Sequence, residues 1–444
     1  MPIRAIWAIE RKNVMIRFKN ARIMTMAGEK PFEVKEGEVW TDKDRIALVG
    51  APSQEELSAA EFEREVDAKG NLIMPSFKNA HTHSAMTFLR SYADDLPLQD
   101  WLFNKVFPLE AKLTGEDVYY FAKLANLEYL TSGITASFDM YFELDDYVKA
   151  CTEMGFRSVL CGAVSGDESN SERLEGNYLK YNGLDPLITF RLGFHAEYTC
   201  DIKLLERIGA LAEKYKAPVS THNSETAKEV RECVEKYGKT PTELFESLGI
   251  YNYGGAGFHC VHMSDNDLDI FKKRGVWAVH NPGSNSKLAS GIADIKKMQD
   301  KGIGLALGTD GPASNNALDM FREMYLMSGL SKLKENDAAA CDANSVLYAA
   351  TVGGARAMGL NDCDTLEAGK QADLIMIDLY QPNMQPFNNI GKNIVYSGSK
   401  ANVILTMCAG KVLYEKGEFL TADAFEIYEG AQERAKRIQE SVNG

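Results

Sequence analysis

Two of the seven histidines of this 444-residue chain lie one residue apart, directly after an apolar run. They are His81 and His83, and the run covers residues 72–74. Because side chains alternate along a strand, both imidazoles would point the same way, about 6.6 Å apart along the strand. Both could then bind one cation, at roughly 2.0 to 2.1 Å for a Zn–N bond. A chance pair of histidines is the alternative interpretation.

Eight apolar runs of strand length recur through the middle of the chain. Amphipathic stretches such as GEDVYYFAKLANLEYLTSG separate most of them, and strands that alternate with helices predict parallel pairing. We therefore predict an α/β fold, a (β/α)₈ TIM-type barrel. The eight predicted strands are LIMPSFKNAH, ITASFDM, SVLCGAV, ITFRLGFHA, PVSTHNSE, GAGFHCVH, VWAVHNP and IGLALGTDG.

Titratable side chains stand at the carboxyl ends of seven of these runs. They are His81 and His83, Asp139, His195, His222 and Glu225, His259 and His262, His280, and Asp310. In a parallel barrel all strand carboxyl ends share one face, where active sites are built. His81, His83, His222 and Asp310 would form a metal site of three histidines and one carboxylate, with room for water. Asp139 would contact the metal-binding residues without binding the metal itself, or it would be only a cap or a loop carboxylate.

The two chain ends have a different pattern from the middle. Both contain short β segments around polar turns, so we predict that residues 15–72 and 366–420 build one small β-sandwich domain. The barrel would then occupy residues 73–365. Residues 421–444 contain apolar positions at helical spacing, which predicts a helix packed on the surface.

Composition excludes several classes of protein. A formal net charge of −14 argues against nucleic-acid binding, and no apolar stretch is long enough to span a membrane. Residues 1–14 do not have the form of a signal peptide, and Met15 is as plausible a start as Met1. Eight scattered cysteines without a C-x-x-C pair indicate reduced thiols. We predict a cytoplasmic enzyme that acts on a small molecule.

Several motifs resemble those of the amidohydrolase superfamily, in particular its cytosine-deaminase-like branch. They are NAHTHSAM, THNSE, HNPGSNSKLASG and GTDGPASNN, and residues 94–114 are similar to the methylthioadenosine/S-adenosylhomocysteine deaminases. The resemblance extends from about residue 15 to 419 and implies the same four metal ligands. Many amidohydrolases bind a second metal through a lysine on the fourth strand, but ITFRLGFHAEYT has none. One divalent metal is therefore expected, Zn²⁺ with Fe²⁺ or Mn²⁺ as alternatives.

The resemblance also implies catalytic roles. Asp310 would take a proton from water while the resulting hydroxide attacks the carbon that bears the amino group. Glu225 would protonate the ring nitrogen and then the departing ammonia, unless it is only an exposed carboxylate at a helix start. His259 would hydrogen-bond the new oxygen, with a buried structural histidine as the alternative. His280 would orient the water or hold its loop.

Substrate contacts follow from the same resemblance. Glu110 would accept the ribose hydroxyls and His195 would make a second ribose contact. Trp101 would pack on the sugar or belong to the core. Arg173 is a candidate for binding a homocysteine carboxylate, but its segment GDESNSERLEG departs from the family pattern. The choice between methylthioadenosine and S-adenosylhomocysteine is therefore left open.

The sequence thus predicts hydrolytic deamination of an adenine nucleoside with a 5′-thio substituent, to the inosine analogue and ammonia. Adenosine and 5′-deoxyadenosine are further candidate substrates. The alternatives are a free-base deaminase or a triazine hydrolase on the same metal site. A catalytically silent binding barrel would lack ligands or the acid, whereas this chain retains all of them. Fold analogy suggests a homo-oligomer.

Overall fold

The computed structural model describes residues 15–443 and contains seventeen strands within them. The segment of residues 1–14, on which the expectations about a signal peptide and the start site bear, lies outside the described residues. The strands are β1 Met15–Met24, β2 Val34–Asp42, β3 Arg45–Gly50, β4 Arg64–Asp67, β5 Leu72–Pro75, β6 Phe77–Thr82, β7 Ile134–Met140, β8 Arg157–Cys161, β9 Ile188–Gly193, β10 Val219–Asn223, β11 Gly255–His259, β12 Val276–His280, β13 Leu305–Leu307, β14 Leu374–Ile377, β15 Val403–Cys408, β16 Lys411–Glu415 and β17 Glu418–Phe419.

Helices follow most of the strands in the middle of the chain. The α-helices within residues 15–443 are α1 Gln54–Ala59, α2 Leu98–Trp101, α3 Phe107–Glu110, α4 Gly115–Thr131, α5 Leu144–Met154, α6 Asn170–Tyr181, α7 Ile202–Tyr215, α8 Ala227–Tyr237, α9 Pro241–Ser247, α10 Asp265–Arg274, α11 Pro282–Lys287, α12 Ile295–Asp300, α13 Met320–Glu335, α14 Ala343–Tyr348, α15 Gly354–Ala357, α16 Ile390–Tyr396 and α17 Ala424–Asn443. None of the described helices combines the length and apolar character needed to cross a bilayer.

Strands β6 to β13 form one parallel sheet in chain order, which confirms the predicted barrel. The sheet nearly closes where β13 approaches β6. There the backbone N–H of Asp310 donates to the carbonyl of His81 at 3.0 Å, and that of Thr309 donates to Asn79 Oδ1 at 2.9 Å. A Cβ on Gly308 would lie 2.7 Å from the backbone of His81, so only glycine permits this approach. The closure brings two predicted metal ligands together.

Local sequence signals delimit the helices between these strands. Helix α10 begins at a capping box in which Ser264 and Asp267 exchange hydrogen bonds between side chain and backbone. It ends at Gly275, whose φ of 66° suits the left-handed position after a helix. Strand β12 starts at the next residue. Because the connections between helices and strands are this short, the carboxyl ends of the strands lie on the same face of the barrel.

Both chain ends build one mixed sheet of nine strands, in the order β17-β16-β15-β14-β5-β1-β2-β3 with β4 beside β1. It has its own apolar cluster, which includes Phe18, Ile73 and Leu405. An isolated bridge between Arg45 and Gln371 ties the β3 edge back to the segment before β14. The predicted small β domain from both ends is therefore present, and it is a single hydrogen-bonded sheet.

The run LIMPSFKNAH contains two strands rather than the one predicted. Strand β5 pairs with β1 and β14 in the small sheet, and only β6 belongs to the barrel. The expected domain boundary after residue 72 therefore falls inside β5. Hydrophobicity could not reveal the break because every residue of β5 and β6 is buried.

A buried ion cluster joins the small sheet to the barrel at the amino-terminal end of its strands. Asp373, just before β14, accepts hydrogen bonds from Arg157 Nη2 at 3.0 Å and from Lys78 Nζ at 3.3 Å. All three side chains are almost fully buried. Removing one member would leave an uncompensated buried charge, so the cluster fixes the contact between the two units.

Helix α17, Ala424–Asn443, lies within the segment 421–444 that was predicted to form a terminal helix, and it packs on α4. Arg437 on α17 forms an ion pair with Asp117 on α4. All eight cysteines are buried and form no disulfide.

Candidate active site

Imidazole and carboxylate groups converge at the carboxyl ends of the barrel strands. Ligand atoms of His81, His222, His259 and Asp310 all lie within 4.8 Å of one another, and all four residues are buried. His83, which follows β6, joins them. Its Nε2 is 3.4 Å from Asp310 Oδ1 and 3.3 Å from His222 Nε2. The four predicted metal ligands therefore meet at one point, with His259 beside them.

The hydrogen-bonding state of these imidazoles fits a metal. Within residues 15–443, neither ring nitrogen of His81 forms a hydrogen bond. Burial lowers the pKa of His81 to about 3, so its ring is neutral at pH 7. Burial and the neighbouring imidazoles also hold the pKa of His222 well below its ordinary value. Neutral imidazole is the form that binds metals.

The tautomers of His83 and His222 are dictated by backbone carbonyls. Their Nδ1 atoms lie 2.7 Å from the carbonyl oxygen of Met140 and 2.6 Å from that of His195. Since a carbonyl only accepts, each Nδ1 carries the proton and each Nε2 presents a lone pair. Two such lone pairs only 3.3 Å apart repel unless a cation lies between them. The residues present thus fit a divalent cation.

Asp310 is held so that one carboxylate oxygen faces the histidines. Its Oδ2 accepts hydrogen bonds from Ser284 Oγ and Ser314 Oγ, each at 2.6 Å. Its Oδ1 lies 3.5 Å from His81 Nε2. The backbone of Asp310 has a φ of 58°, a left-handed conformation that is uncommon outside glycine and is often found at functional sites. Oδ1 is therefore available to a metal.

Glu225 and His259 form a second pair beside the ligands. Glu225 is only 5% exposed, so it is not an exposed carboxylate at a helix start. Its Oε1 accepts a hydrogen bond from Ser290 Oγ at 3.0 Å and lies 3.9 Å from His259 Nδ1. His259 Nδ1 donates to Asn285 Oδ1 at 2.7 Å. Burial opposes the charged form of His259, but the charges of Glu225 and Asp310 outweigh it and raise its pKa.

One cavity of about 990 Å³ opens onto this cluster. Of the residues predicted to act on substrate or metal, its wall contains His83, Trp101, Glu110, Arg173, His195, His222, Glu225, His259 and Asp310. Trp101 is almost fully buried, whereas Arg173, on α6, is exposed at the rim. Glu110 accepts a hydrogen bond from the Tyr141 hydroxyl at 2.9 Å, and burial raises the pKa of its carboxyl to about 7.

His81 and His280 are the predicted site residues outside the cavity wall; His81 still belongs to the ligand cluster, whereas His280 does not. It ends β12, is 2% exposed, and neither of its ring nitrogens forms a hydrogen bond within the described part of the chain. Burial lowers its pKa to about 3. This position does not support direct contact with water or substrate. His262 also lies outside the wall, and its Nε2 donates to the carbonyl of Ser290 at 2.7 Å.

Four residues that orient the site were not predicted from the sequence. They are Ser284, Asn285, Ser290 and Ser314, and each contacts Asp310, His259 or Glu225 as described above. All four lie within HNPGSNSKLASG and GTDGPASNN, so the motifs contained the signal. Serine and asparagine are common in turns because their side chains hydrogen-bond the nearby backbone. Their presence in a motif therefore does not by itself indicate a role in orienting catalytic residues.

Comparisons with known proteins agree with this geometry. The sequence profile of the amidohydrolase family matches residues 72–413. The chain belongs to the amidohydrolase family. A curated relative of this amidohydrolase, from Caldanaerobacter subterraneus subsp. tengcongensis, is named 5-methylthioadenosine/S-adenosylhomocysteine deaminase. It is 40% identical over 429 residues, which cover 95% of this chain and 98% of the relative. The resemblance inferred from the motifs is confirmed.

Solved structures support the same fold. An adenosine deaminase from Xanthomonas campestris with bound zinc aligns with a TM-score of 0.90 at 33% identity, over 96% of this amidohydrolase and 99% of that chain. An atrazine chlorohydrolase from Arthrobacter aurescens complexed with zinc aligns with a TM-score of 0.86, over 95% of this chain and 100% of that one. At 20% identity, the second likeness concerns the fold alone.

Proposed function

We propose that this amidohydrolase deaminates an adenine nucleoside that carries a 5′-thio substituent, producing the inosine analogue and ammonia. The candidate substrates are 5′-methylthioadenosine and S-adenosylhomocysteine, with adenosine and 5′-deoxyadenosine as weaker ones. The observation that carries the proposal is a single cavity that joins the histidine and aspartate cluster to Glu110 and His195. Relatives with the corresponding name that align over nearly the whole chain support it further.

The site would hold one divalent cation, Zn²⁺ with Fe²⁺ or Mn²⁺ as alternatives, through His81, His83, His222 and Asp310. Three neutral imidazoles and one carboxylate are a ligand set that suits zinc. A divalent cation in this position would lower the pKa of water from 15.7 toward about 7, so that water could act as a nucleophile at neutral pH.

The residues around this site divide the proton transfers between them. Asp310 accepts the proton of the attacking water, since its carboxylate lies among the ligands. Glu225 donates a proton to the ring nitrogen of the purine, takes the proton of the added hydroxyl as the carbonyl forms, and passes it to the departing amine, which leaves as ammonia. The proton held by Asp310 then returns Glu225 to its protonated form. His259 donates a hydrogen bond to the oxygen that is added to the ring carbon. Glu225 Oε1 lies 3.9 Å from His259 Nδ1. The two side chains are therefore close enough to contact atoms bonded to the same ring carbon.

The ribose and the 5′ substituent would occupy the rest of the cavity. Glu110 accepts hydrogen bonds from the two ribose hydroxyls, and His195 makes a further ribose contact. Trp101 packs on the sugar. A carboxylate that takes both hydroxyls discriminates against deoxy analogues, because its buried acceptors would then be unpaired. Arg173, at the rim, would pair with the carboxylate of a homocysteine tail.

The pKa of Glu110 predicts a pH dependence of nucleoside binding. The carboxyl has a pKa of about 7 and accepts both hydroxyls only when ionised, so binding should strengthen as the pH rises from 6 to 8. The ionised fraction rises about tenfold over this range, and the affinity should rise by up to the same factor. Titration with 5′-methylthioinosine, which cannot be deaminated, would measure it. The Glu110→Gln variant and a 2′,3′-dideoxy ligand should each remove the effect, and its persistence in both would contradict the role.

An ultraviolet assay tests the proposed function directly. Absorbance near the adenine maximum should fall when the metal-loaded protein meets 5′-methylthioadenosine or S-adenosylhomocysteine, and more slowly with adenosine and 5′-deoxyadenosine. Elemental analysis of the same sample would identify the metal. No change with any of the four nucleosides would reject the proposal. Turnover of free bases or triazines in their place would favour the alternatives.

A further inference from the structure

Asp139 is a buried carboxylate next to the site for which the proposed function has no role. It lies one residue before the end of β7 and is fully buried outside the cavity wall. It accepts a hydrogen bond from the Tyr147 hydroxyl at 2.9 Å. It also accepts from both the backbone N–H of Ser84, 3.1 Å from Oδ2, and the Ser84 hydroxyl. Every one of these donors is neutral.

The contacts of Asp139 surround the metal ligand His83. Ser84 follows this histidine, so Asp139 fixes the backbone on its carboxyl side. The Tyr129 hydroxyl lies 2.8 Å from both Ser84 Oγ and Thr82 Oγ1, and thereby links the two neighbours of His83. Thr82 Oγ1 also lies within 3.1 Å of the carbonyl of Asp310 and can donate to it. The segment that carries His83 is therefore held on both sides.

The end of β7 also holds the His83 ring itself. Met140, the residue after Asp139, offers the carbonyl that accepts from His83 Nδ1 at 2.7 Å. Two adjacent residues of one strand thus fix His83 twice, through its ring and through the next backbone N–H. Since Nε2 of His83 lies 3.4 Å from Asp310 Oδ1, a shift of the segment would move this nitrogen away from the cluster.

We propose that Asp139 is a positioning residue for the metal site, which holds the turn at Ser84 so that His83 presents Nε2 to the cation. Asp139 contacts neither the cavity nor the ligand atoms and acts only through this turn. Partners that orient ligands in this way typically contribute 10 to 100-fold to metal affinity. This inference goes beyond the proposed reaction and rests on its metal site.

Metal affinity of the full-length protein is the test. Competition between the metal-free protein and a chromophoric chelator for Zn²⁺ would give dissociation constants for the wild type and for Asp139→Asn. The variant keeps the side-chain shape but turns an amide NH₂ toward one of its donors, so its affinity should fall by about 10 to 100-fold. Co²⁺ bound in the variant should also show an altered visible spectrum, because the ligand geometry has changed.

A matched control separates positioning from general destabilisation. Asp267 is also fully buried, and it accepts hydrogen bonds from Thr240 Oγ1 and from the N–H of Ser264 at 2.8 Å. It lies at the start of α10 and outside the cavity wall. Asp267→Asn should therefore lower the melting temperature while leaving the zinc affinity unchanged. An equal loss of affinity in both variants would overturn the proposal.

Three further outcomes would overturn the inference. A folded Asp139→Asn protein with the zinc affinity of the wild type would overturn the inference and leave the proposed function intact. If this variant does not fold, Ser84→Ala takes its place, because it removes only the hydroxyl contacts and should weaken zinc binding in the same direction. Unchanged affinity in Ser84→Ala would then overturn the inference. A wild-type protein that binds no divalent cation would overturn the inference together with the proposed metal site.

Discussion

Glu225→Gln should lower kcat by about 10² to 10⁴-fold, the usual contribution of a general acid or base. Glutamine keeps the size of the side chain and can still accept the hydrogen bond from Ser290, but it cannot transfer a proton. Substrate binding and metal content should therefore change little. Steady-state kinetics on 5′-methylthioadenosine, with elemental analysis of the same preparation, would measure both. The loss should appear in kcat rather than in KM.

Glu197→Gln is the matched control for this variant. Glu197 is also a buried carboxylate, 3% exposed, but it does not contribute to the cavity wall. Its replacement should leave turnover close to that of the wild type. Near-normal turnover of Glu225→Gln with bound metal would exclude Glu225 as the proton donor. An equal loss in the two variants would point to a general effect of removing buried charge.

Asp310→Asn should have the second large effect, because two roles are proposed for this residue. As a ligand it adds negative charge to the metal site, so its replacement weakens metal binding. As a base it accepts the proton of water, which an amide cannot do. We expect turnover to fall by about 10³-fold or more when both roles are lost.

Excess metal separates the two roles. Saturating Zn²⁺ should restore the metal content of Asp310→Asn but leave turnover reduced by at least about 10²-fold, because the base is still missing. Full recovery of turnover at saturating metal would contradict the role of Asp310 as a base. Asp364→Asn serves as the control, since Asp364 is a buried carboxylate paired with Arg356 and lies outside the cavity wall. It should lose thermal stability without losing turnover.

The barrel could be predicted from the sequence because the titratable residues and the hydrophobic periodicity indicated the same strand ends. Titratable groups such as His195 and Asp310 follow apolar runs of strand length, and only a parallel barrel gathers all those ends at one face. The junction at residues 72–81 was not accessible, because β5 and β6 are both completely buried. A hydrophobic pattern reports burial, and it does not report which sheet buries a strand.

Within the site, the sequence predicted the ligand types but not their orientation. Alternation along a strand ceases to apply where residues leave it: His259 and Asp310 have φ values of 69° and 58°. Their final directions depend on contacts such as those of Asn285 and Ser284, which come from other loops. For the same reason the position of His280 at a strand end did not indicate that this residue lies outside the cavity wall.

Anomalous diffraction from crystals of the zinc-loaded protein tests the central claim most directly. It should give one peak per chain at the zinc absorption edge, at roughly 2.0 to 2.2 Å from the Nε2 atoms of His81, His83 and His222 and from an Asp310 carboxylate oxygen. The same four side chains would then surround the ion at the mouth of the barrel. An absent peak, a second peak of equal height, or a peak away from these four residues would contradict the account.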